Sequence, residues 1–397
     1  MGQCQAPQCL DAKVPPQNTN ICLVIYSLRR GGAERQLLAL AGGLAARGMR
    51  ITIVTLHEGG AWELDDRFPE TVTLRSLRKR GRWDLGAAIR AIRIIRAARP
   101  RIVYSMLMPS NLLCLLIRPF MGRVRLVWGI RESGQDRSAY HWSLRFLHRL
   151  EVLLGRVVGL VIFNSARGAR RFAEGGFRPK RTAVVPNSID CEYFKPDPSR
   201  RQALRQGWGF PSEALVFAVV GSLSPVKGHD LFFDAASKVA ERMAAARFLI
   251  VGSGTAEQES RLAGLVSEVT PRGSVVLAGE HADMPLLYGA IDVLVLSSES
   301  EGFPNVVGEA MACGVPCVVT DVGDAATVVG LTGAVVRPRT ASALAEGMLV
   351  IAERLQKEGD HLRALARQHI LSEFGIDAMV SRTLTALGFP GSDGLPD

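Results

Sequence analysis

The sequence has few aromatic residues and no long apolar run. Aromatic residues make up 6% of its 397 residues. The longest stretch without a charged side chain, Ile102 to Ile117, contains Pro109 and is too short to span a bilayer as a helix. Residues 1–20 also lack the apolar segment of a secretory signal peptide. These absences argue against helical membrane spans, and they predict a disordered tail over residues 1–20.

Cysteine is scarce, and an acidic metal motif is missing. Seven cysteines are scattered at positions 4, 9, 22, 114, 191, 313 and 317, and no Cys-x-x-Cys pair of the kind found in zinc sites occurs. Such a distribution is typical of free thiols in a reducing cytoplasm. No Asp-x-Asp sequence occurs, so nothing indicates a divalent-metal site. The sequence therefore predicts a cytoplasmic protein that needs no cofactor and no metal ion.

Acidic residues are few in the first half of the chain. Residues 1–200 hold 33 Lys and Arg but only 15 Asp and Glu, a net charge of +18, whereas the remainder carries −8. Nearly all of these basic residues are arginines. One group is a compact cluster of Arg75, Arg78, Lys79, Arg80 and Arg82. A second group recurs at helical spacing opposite Ile89, Ile92 and Ile95, and consists of Arg90, Arg93 and Arg96.

Three interpretations of this basic half differ in function. The arginines could form a solvated helix face, a surface for an anionic membrane or a diphosphate-bearing acceptor, or a nucleic-acid site. No module that interleaves basic and aromatic residues is visible, so nucleic acid is not predicted. The anionic membrane is ranked first.

What the chain does contain is a pair of glutamates around a turn-rich loop, Glu301-Gly-Phe-Pro-Asn-Val-Val-Gly-Glu309. The preceding run, Ile291 to Ser298, is apolar and β-branched and predicts a buried strand. The following run, Val306 to Cys313, predicts a helix that ends at Gly314. Glu301 is therefore expected at the carboxyl end of a strand, where α/β proteins bind ligands. The amides of the helix's first turn suit a phosphate there.

Similar strand, glycine-loop and helix units precede this one. The strand Leu215 to Val220 leads into Gly221, a loop with Lys227-Gly228, and a helix from Asp230. Phe248 to Gly254 and Ser274 to Gly279 begin two more units. At 397 residues and 47% apolar content, the chain is long enough for two such domains, each with its own core.

These segments together resemble the retaining glycosyltransferases of family 4, over roughly residues 20 to 390. The segments that carry the resemblance are Gly31-Gly-Ala-Glu-Arg35, Val185-Pro-Asn-Ser-Ile-Asp190, Val220-Gly-Ser-Leu-Ser-Pro-Val-Lys-Gly228, Leu249-Ile-Val-Gly-Ser-Gly254, Glu301 to Glu309, and Ala312-Cys-Gly-Val-Pro316. The resemblance implies the α/β GT-B fold, in which two Rossmann-like domains face each other across a cleft and a C-terminal helix crosses back to the first domain.

The expected domain layout follows from this fold. Residues 1–20 form the tail, and residues 21–186 form an N-terminal domain on the acceptor side. A linker, residues 187–198, is rich in proline and polar residues. Residues 199–375 form the domain that binds the nucleotide sugar, and residues 376–397 form the crossing helix and a tail.

The resemblance also implies roles for individual residues. Glu309 is similar to the acid that binds both ribose hydroxyls, and Glu301 to the catalytic-site acid that holds the hydroxyls of the donor sugar. Lys227 is similar to the cation on the donor diphosphate. Further donor contacts are expected from Gly302, Phe303, Pro304, Asn305 and Val306, and from the first domain's Gly31 and Gly32. As alternatives, Glu309 would favour a helix dipole, and the two glycines would form a turn that needs positive φ.

Two positions depart from the family pattern. Relatives carry an arginine five places before the lysine, where this chain has Ser222, which removes one diphosphate contact. Ser222 is still counted among the expected donor contacts, since its hydroxyl could hydrogen bond to the donor; alternatively, another basic residue could substitute for the arginine. Many relatives also place a histidine after the strand that ends near Trp128, and here none stands there. Arg131 and Glu132 are candidate acceptor contacts instead. His141, His148 and His229 have no partner pattern and are interpreted as ordinary polar residues.

The leading hypothesis is a metal-independent retaining glycosyltransferase. It would move a sugar from a nucleotide donor, UDP-linked, to a glycan or polyprenyl-linked acceptor in cell-surface polysaccharide biosynthesis. It would lie peripherally on the inner face of the cytoplasmic membrane. The alternatives are a nucleotide-sugar epimerase of the same architecture and an inactive membrane-associated scaffold.

Overall fold

The computed structural model describes residues 19–29, 31–58, 70–81, 84–131, 142–268 and 274–389. They form two parallel sheets with helices on both faces. Within this part of the chain, no helix combines the length and the apolar character needed to cross a bilayer. Residues 1–18 of the predicted tail, Arg82, Glu132 and His141 lie outside the described residues.

Seven strands, paired in parallel in the order β3-β2-β1-β4-β5-β6-β7, build the first sheet. They are β1 (Asn20–Ile25), β2 (Arg50–Thr55), β3 (Val72–Ser76), β4 (Ile102–Met106), β5 (Arg125–Ile130), β6 (Leu160–Phe163) and β7 (Thr182–Val184). The central strands are apolar on both faces, as expected for a sheet covered by helices on both sides. In the register, Ile21 lies opposite Ile51 on one side and Ile102 on the other.

Five helices flank this sheet: α1 (Gly32–Ala46), α2 (Leu85–Ala98), α3 (Met108–Ile117), α4 (Trp142–Leu154) and α5 (Ala166–Glu174). The side chain of Asp84 caps α2 by accepting a bond from the backbone N–H of Ala87. The inward face of α2 differs from the expected isoleucine stripe. Ala87, Ala91 and Ile95 are buried, whereas Ile89 is half exposed, because small side chains bring α2 close to the sheet.

Six strands build the second sheet in the parallel order β10-β9-β8-β11-β12-β13. They are β8 (Leu215–Val220), β9 (Ala246–Val251), β10 (Val275–Gly279), β11 (Val293–Leu296), β12 (Cys317–Thr320) and β13 (Ala334–Val336). The helices that follow the first domain are α6 (Arg201–Gly207), α7 (His229–Arg242), α8 (Ala256–Glu268), α9 (Met284–Ala290), α10 (Asn305–Ala312), α11 (Ala325–Val329), α12 (Ala341–Glu358), α13 (Asp360–Phe374) and α14 (Ile376–Ala386).

The last helix, α14, packs on the first domain. Its buried Met379, Val380 and Leu384 join the same core as the buried leucines of α1. A Cβ atom placed on Gly43 of α1 would lie 2.5 Å from the Val380 side chain, so a glycine there lets the two helices approach closely. The predicted fold class is confirmed: an α/β protein with two Rossmann-like domains and a C-terminal helix that crosses back to the first.

Each sheet reverses its strand order once. The reversal lies between β1 and β4 in the first sheet and between β8 and β11 in the second. Loops that leave the carboxyl ends of such neighbouring strands diverge and open a crevice, which is where doubly wound sheets bind ligands. Gly31 ends the loop after β1, directly before Gly32 begins α1, and the loops after β8 and β11 contain Lys227 and Glu301, respectively.

Candidate active site

The second domain brings Lys227 and Glu301 into direct contact. Lys227 lies in the loop after β8, and Glu301 lies in the loop after β11. The Lys227 ammonium donates to Glu301 Oε1 at 2.7 Å, and the Ser298 hydroxyl donates to the same oxygen at 2.7 Å. The two charged side chains keep 25% and 13% of their surface exposed, so both can reach a ligand in the crevice.

Close backbone contacts hold these two loops together. The Ser297 hydroxyl donates to the carbonyl of Lys227 at 2.8 Å, and the Glu299 N–H donates to the carbonyl of Val226 at 2.8 Å. Gly228 has φ of +66°, and a Cβ atom there would lie 2.3 Å from the Ser297 carbonyl oxygen. Only glycine meets both demands, because other residues avoid this backbone region and carry a Cβ. The Lys-Gly pair thus fixes the loop and presents the lysine.

Glu309 lies in the second turn of α10 with its carboxylate almost fully buried. Only 5% of the residue is exposed. The Tyr288 hydroxyl donates to Oε2 at 3.2 Å, and Arg35 of the first domain forms an ion pair with Oε1 at 3.1 Å. Burial raises the pKa of this carboxyl, and Arg35 opposes that rise. The carboxylate is a preformed hydrogen-bond acceptor at the boundary between the domains.

The beginnings of α1 and α10 face each other across the domain boundary. A Cβ atom on Gly32 would lie 3.2 Å from Nδ2 of Asn305, the first residue of α10. Asn187 donates to Asn305 Oδ1 at 3.0 Å, and Arg131 donates to Asn187 Oδ1 at 2.7 Å. The first-turn amides of both helices have no partner within their helix, and two such helix starts favour an anion between them.

Further bonds link the two domains around this cleft. Asp324 accepts from the backbone N–H groups of Ala166 and Arg167, at the start of α5, at 2.9 and 3.2 Å. Gln36 of α1 also binds the segment between the two sheets: it donates to the carbonyl of Ser188 and accepts from its N–H, both at 2.7 Å. The sequence predicted none of these contacts. It also did not predict the Arg35–Glu309 pair, although Arg35 is the last residue of the Gly31-Gly-Ala-Glu-Arg35 segment.

The predicted site residues therefore fall into groups. Lys227, Glu301, Asn305 and Glu309 line one edge of the second sheet, together with the backbone of Gly302, Pro304 and Val306. The side chain of Phe303 is buried against Phe374, with ring centroids 5.5 Å apart. Its expected donor contact stays a prediction and would have to come from its backbone. Ser222 is exposed, and its hydroxyl lies 3.1 Å from that of Ser224.

In the first domain, Gly31 and Gly32 lie at the cleft, but not in a turn that needs positive φ. Gly31 has an extended backbone with φ of −162°, and Gly32 begins α1. A Cβ on Gly31 would lie 2.3 Å from the Glu34 carboxylate, which ends a flexible side chain and can move aside. Arg131 reaches the cleft through Asn187, whereas Glu132 is outside the described residues.

His229, at the start of α7, is buried and bonded to the backbone of the neighbouring loop. His229 is almost fully buried, and its Nε2 lies 3.1 Å from the Ser222 carbonyl. Burial lowers the pKa of its imidazole. This bond supports the loop that carries Lys227, which agrees with its interpretation as an ordinary polar residue. No cluster of three metal-ligating side chains occurs among the described residues, and metal independence stays a prediction.

Fold and site together define a two-domain GT-B protein with a cleft suited to a nucleotide. Residues 30–193 match the family described as Glycosyltransferase Family 4, and residues 214–354 match the one described as Glycosyl transferases group 1. The two matches together cover most of the chain. The protein belongs to the family 4 glycosyltransferases.

Curated relatives share part of the sequence. A D-inositol 3-phosphate glycosyltransferase of Geodermatophilus obscurus is 33% identical over 227 residues, which is 53% of this chain and 48% of the relative. The putative glycosyltransferase EpsF of Bacillus subtilis is 26% identical over 191 residues, 47% of this chain and 48% of EpsF. The chain thus spans about half the length of these relatives.

Solved structures share the fold over nearly the whole chain. HepE of Anabaena, in complex with UDP, superposes with a TM-score of 0.76 at 23% identity, covering 93% of this chain and 100% of HepE. WaaG, a glycosyltransferase involved in lipopolysaccharide biosynthesis, gives a TM-score of 0.65 at 17% identity, covering 94% and 100%. At these identities the likeness establishes the fold.

Proposed function

We propose that the protein is a retaining glycosyltransferase that moves a sugar from a UDP-linked donor to a lipid-linked or cell-surface glycan acceptor. The observation that carries this proposal is the Lys227–Glu301 pair beside the start of α10, with Glu309 buried one helical turn further on. A cation, an anion-binding helix start and two carboxylates match a diphosphate, a ribose and a sugar. The structure of HepE was determined with UDP and with UDP-glucose, which supports a UDP-linked donor.

The chemistry assigns each group a part. Cleavage of the bond between the anomeric carbon and the diphosphate builds negative charge on the leaving diphosphate. Lys227 and the amides of Asn305 and Val306 would stabilise that charge, which is the kind of interaction that lowers a barrier most. The leaving phosphate oxygen would take the acceptor's proton on the same face of the sugar, so that configuration is retained.

The two carboxylates would hold uncharged hydroxyls. Glu301 keeps an oxygen free for the donor sugar, since its Oε1 carries both bonds from Lys227 and Ser298. Glu309 is already desolvated and oriented by Tyr288, so it would bind the ribose without further ordering. A buried carboxylate that accepts hydroxyl bonds discriminates strongly against ligands that lack those hydroxyls.

A lipid-linked acceptor is favoured by one surface of the first domain, the α3–α4 surface. Its exposed apolar residues are Leu116, Phe120, Phe146, Leu153 and Val157. Its exposed arginines are Arg118, Arg123, Arg145, Arg149 and Arg156. Exposed apolar side chains among cations suit the interface of an anionic membrane. In the Arg75 to Arg82 cluster, Glu58 pairs with Arg78, so we favour the α3–α4 surface.

A thermal-shift screen tests the donor assignment. Full-length protein is heated with UDP, GDP, ADP and the corresponding nucleotide sugars, all at one concentration, about 100 times the dissociation constant of UDP. UDP should stabilise the protein by about 2.7 kcal/mol at that ratio, and GDP and ADP should stabilise it less. If no nucleoside diphosphate raises the melting temperature, the proposed function is wrong.

The same protein separates the alternative activities. With UDP-glucose and an added polyprenyl-diphosphate glycan, a transferase releases UDP in proportion to the glycan extended. An epimerase converts the donor sugar with no acceptor present. A scaffold does neither and releases no sugar by slow hydrolysis.

A further inference from the structure

Arg35 is an N-terminal-domain residue whose guanidinium lies in the candidate donor site. It follows the Gly31-Gly32 pair in the first turn of α1 and reaches Glu309 Oε1 at 3.1 Å. The two side chains of this ion pair differ in exposure: that of Arg35 is 42% exposed and that of Glu309 is 6% exposed. Burial and Tyr288 fix the carboxylate, whereas the arginine side chain stays accessible to solvent while it is paired.

Among the described residues near the start of α10, the second domain offers few cations for a diphosphate, which carries at least two negative charges. Lys227 is one cation, but Ser222 stands where relatives have an arginine, and its hydroxyl faces Ser224. Arg339 lies close to the same loop, but its guanidinium donates to the carbonyls of Ser297 and Ser298 at 3.3 Å. Arg35 differs, because its partner is a carboxylate that the proposed donor would itself engage.

Ribose and Arg35 require the same carboxylate. Glu309 already gives one oxygen to Tyr288, and Arg35 takes the other. The carboxylate can accept further bonds, but with Arg35 on it only 6% of the Glu309 side chain is exposed. Two ribose hydroxyls therefore gain access to this buried group when the guanidinium moves aside. The start of α1 faces the start of α10, with Gly32 close to Asn305, so a released Arg35 stays beside the helix start proposed for the diphosphate.

We infer that Arg35 is a donor-binding residue that exchanges partners. The ribose hydroxyls take its place on Glu309, and its guanidinium passes to the diphosphate, where it replaces the arginine that position 222 lacks. A guanidinium suits this part, because its fork of N–H groups matches phosphate oxygens. The inference rests on the proposed function. It makes the diphosphate site complete only when the two domains are together.

The test compares UDP with uridine, which has the ribose but no phosphate. Arg35→Gln should weaken UDP binding about 10- to 100-fold, the range for one lost bond to a charged group. Uridine should bind no less tightly than to the parent protein, because its competitor for Glu309 has been weakened. Both dissociation constants are measured by calorimetry or ligand-detected NMR at pH 8, with exposed Arg93→Gln on α2 as the matched control.

A second substitution supplies the rescue. Ser222→Arg in the Arg35→Gln background should restore most of the lost UDP affinity and leave uridine unchanged. Equal weakening of UDP and uridine by Arg35→Gln, or unchanged UDP binding, would overturn the inference. A parent protein that binds UDP, GDP and ADP with no measurable affinity would instead overturn the proposed function.

Discussion

The two ends of strand β11 use buried carboxylates in opposite ways. At its amino end, Asp292 is 3% exposed, and it accepts bonds from Arg205 at 2.6 Å, from Arg363 at 3.0 Å and from the Val216 N–H at 2.8 Å. Arg201 pairs with the same carboxylate. Three arginines and an amide leave it no capacity for a ligand.

At the carboxyl end, each glutamate has one cation, and that cation is partly exposed. Lys227 serves Glu301, and Arg35 serves Glu309. Burial pushes the pKa of both Asp292 and Glu309 upward, but Arg201 and Arg205 outweigh it at Asp292, where the net pKa is lowered. At Glu309 burial prevails and the pKa is raised. Charges at the amino end hold the fold, whereas those at the carboxyl end can be exchanged for a ligand.

A substitution at the amino end of β11 should have the largest effect, and that effect is on stability. Asp292→Asn leaves buried guanidinium groups without a countercharge, and we expect it to lower the free energy of unfolding by about 3–5 kcal/mol. Urea unfolding monitored by circular dichroism measures this. The control is Asp230→Asn, since the exposed Asp230–Arg261 pair should contribute less than about 1 kcal/mol. Equal losses in the two variants would erase the contrast between the ends of the strand.

A substitution at the carboxyl end of β11 should lower turnover rather than stability. Glu301→Gln removes the charge on the donor-sugar acid, and we expect kcat to fall about 10- to 100-fold, as for one bond to a charged group, with UDP affinity nearly unchanged. Steady-state release of UDP provides kcat. Its exposed neighbour allows a matched control, Glu299→Gln. Parental turnover in Glu301→Gln would remove Glu301 from the site.

Sequence reasoning succeeded where the signal is local. The strands β8 and β11, the loops after them and the helix α10 each follow from a short pattern, so the sequence alone suffices to place Lys227, Glu301 and Glu309 on one sheet edge. Short edge strands such as β13 escaped notice, because three residues carry little pattern.

The rest depends on contacts between distant parts of the chain. The partners across the cleft, Arg35 with Glu309 and Asp324 with the start of α5, are more than 150 residues apart. No periodicity encodes such a pair. The burial of the Phe303 ring could not be predicted for a similar reason, since it depends on where α13 places Phe374.

The α3–α4 surface should give a smaller effect. Each arginine near an anionic bilayer is worth about 1 kcal/mol, so the double variant Arg145→Glu, Arg149→Glu should lose most binding of the full chain to anionic vesicles at low salt. Co-sedimentation measures the bound fraction, and Lys238→Glu on α7 is the control. Parental binding of the double variant, or equal binding to neutral vesicles, would argue against this electrostatic docking surface.

Chelation should have the smallest effect. Because Lys227 and backbone amides would supply the positive potential at the diphosphate, we expect EDTA to leave the rate of UDP release unchanged. The assay is run with dialysed protein, before and after addition of magnesium. A loss of activity in EDTA that magnesium or manganese restores would show that a metal ion belongs to the donor site.

The most direct test of the central claim is the pH dependence of UDP binding to the parent protein and to Glu309→Gln. Ribose binding needs the ionised carboxylate of Glu309. Because the pKa of this carboxyl is raised, acidification protonates it at a higher pH than an ordinary glutamate. The ionisation of UDP itself is common to both proteins. We predict that parental affinity falls on acidification, beginning above the pH at which an ordinary glutamate is protonated, and that Glu309→Gln, folded by its melting curve, binds UDP weakly throughout. Parental affinity in Glu309→Gln at pH 8 would contradict the account.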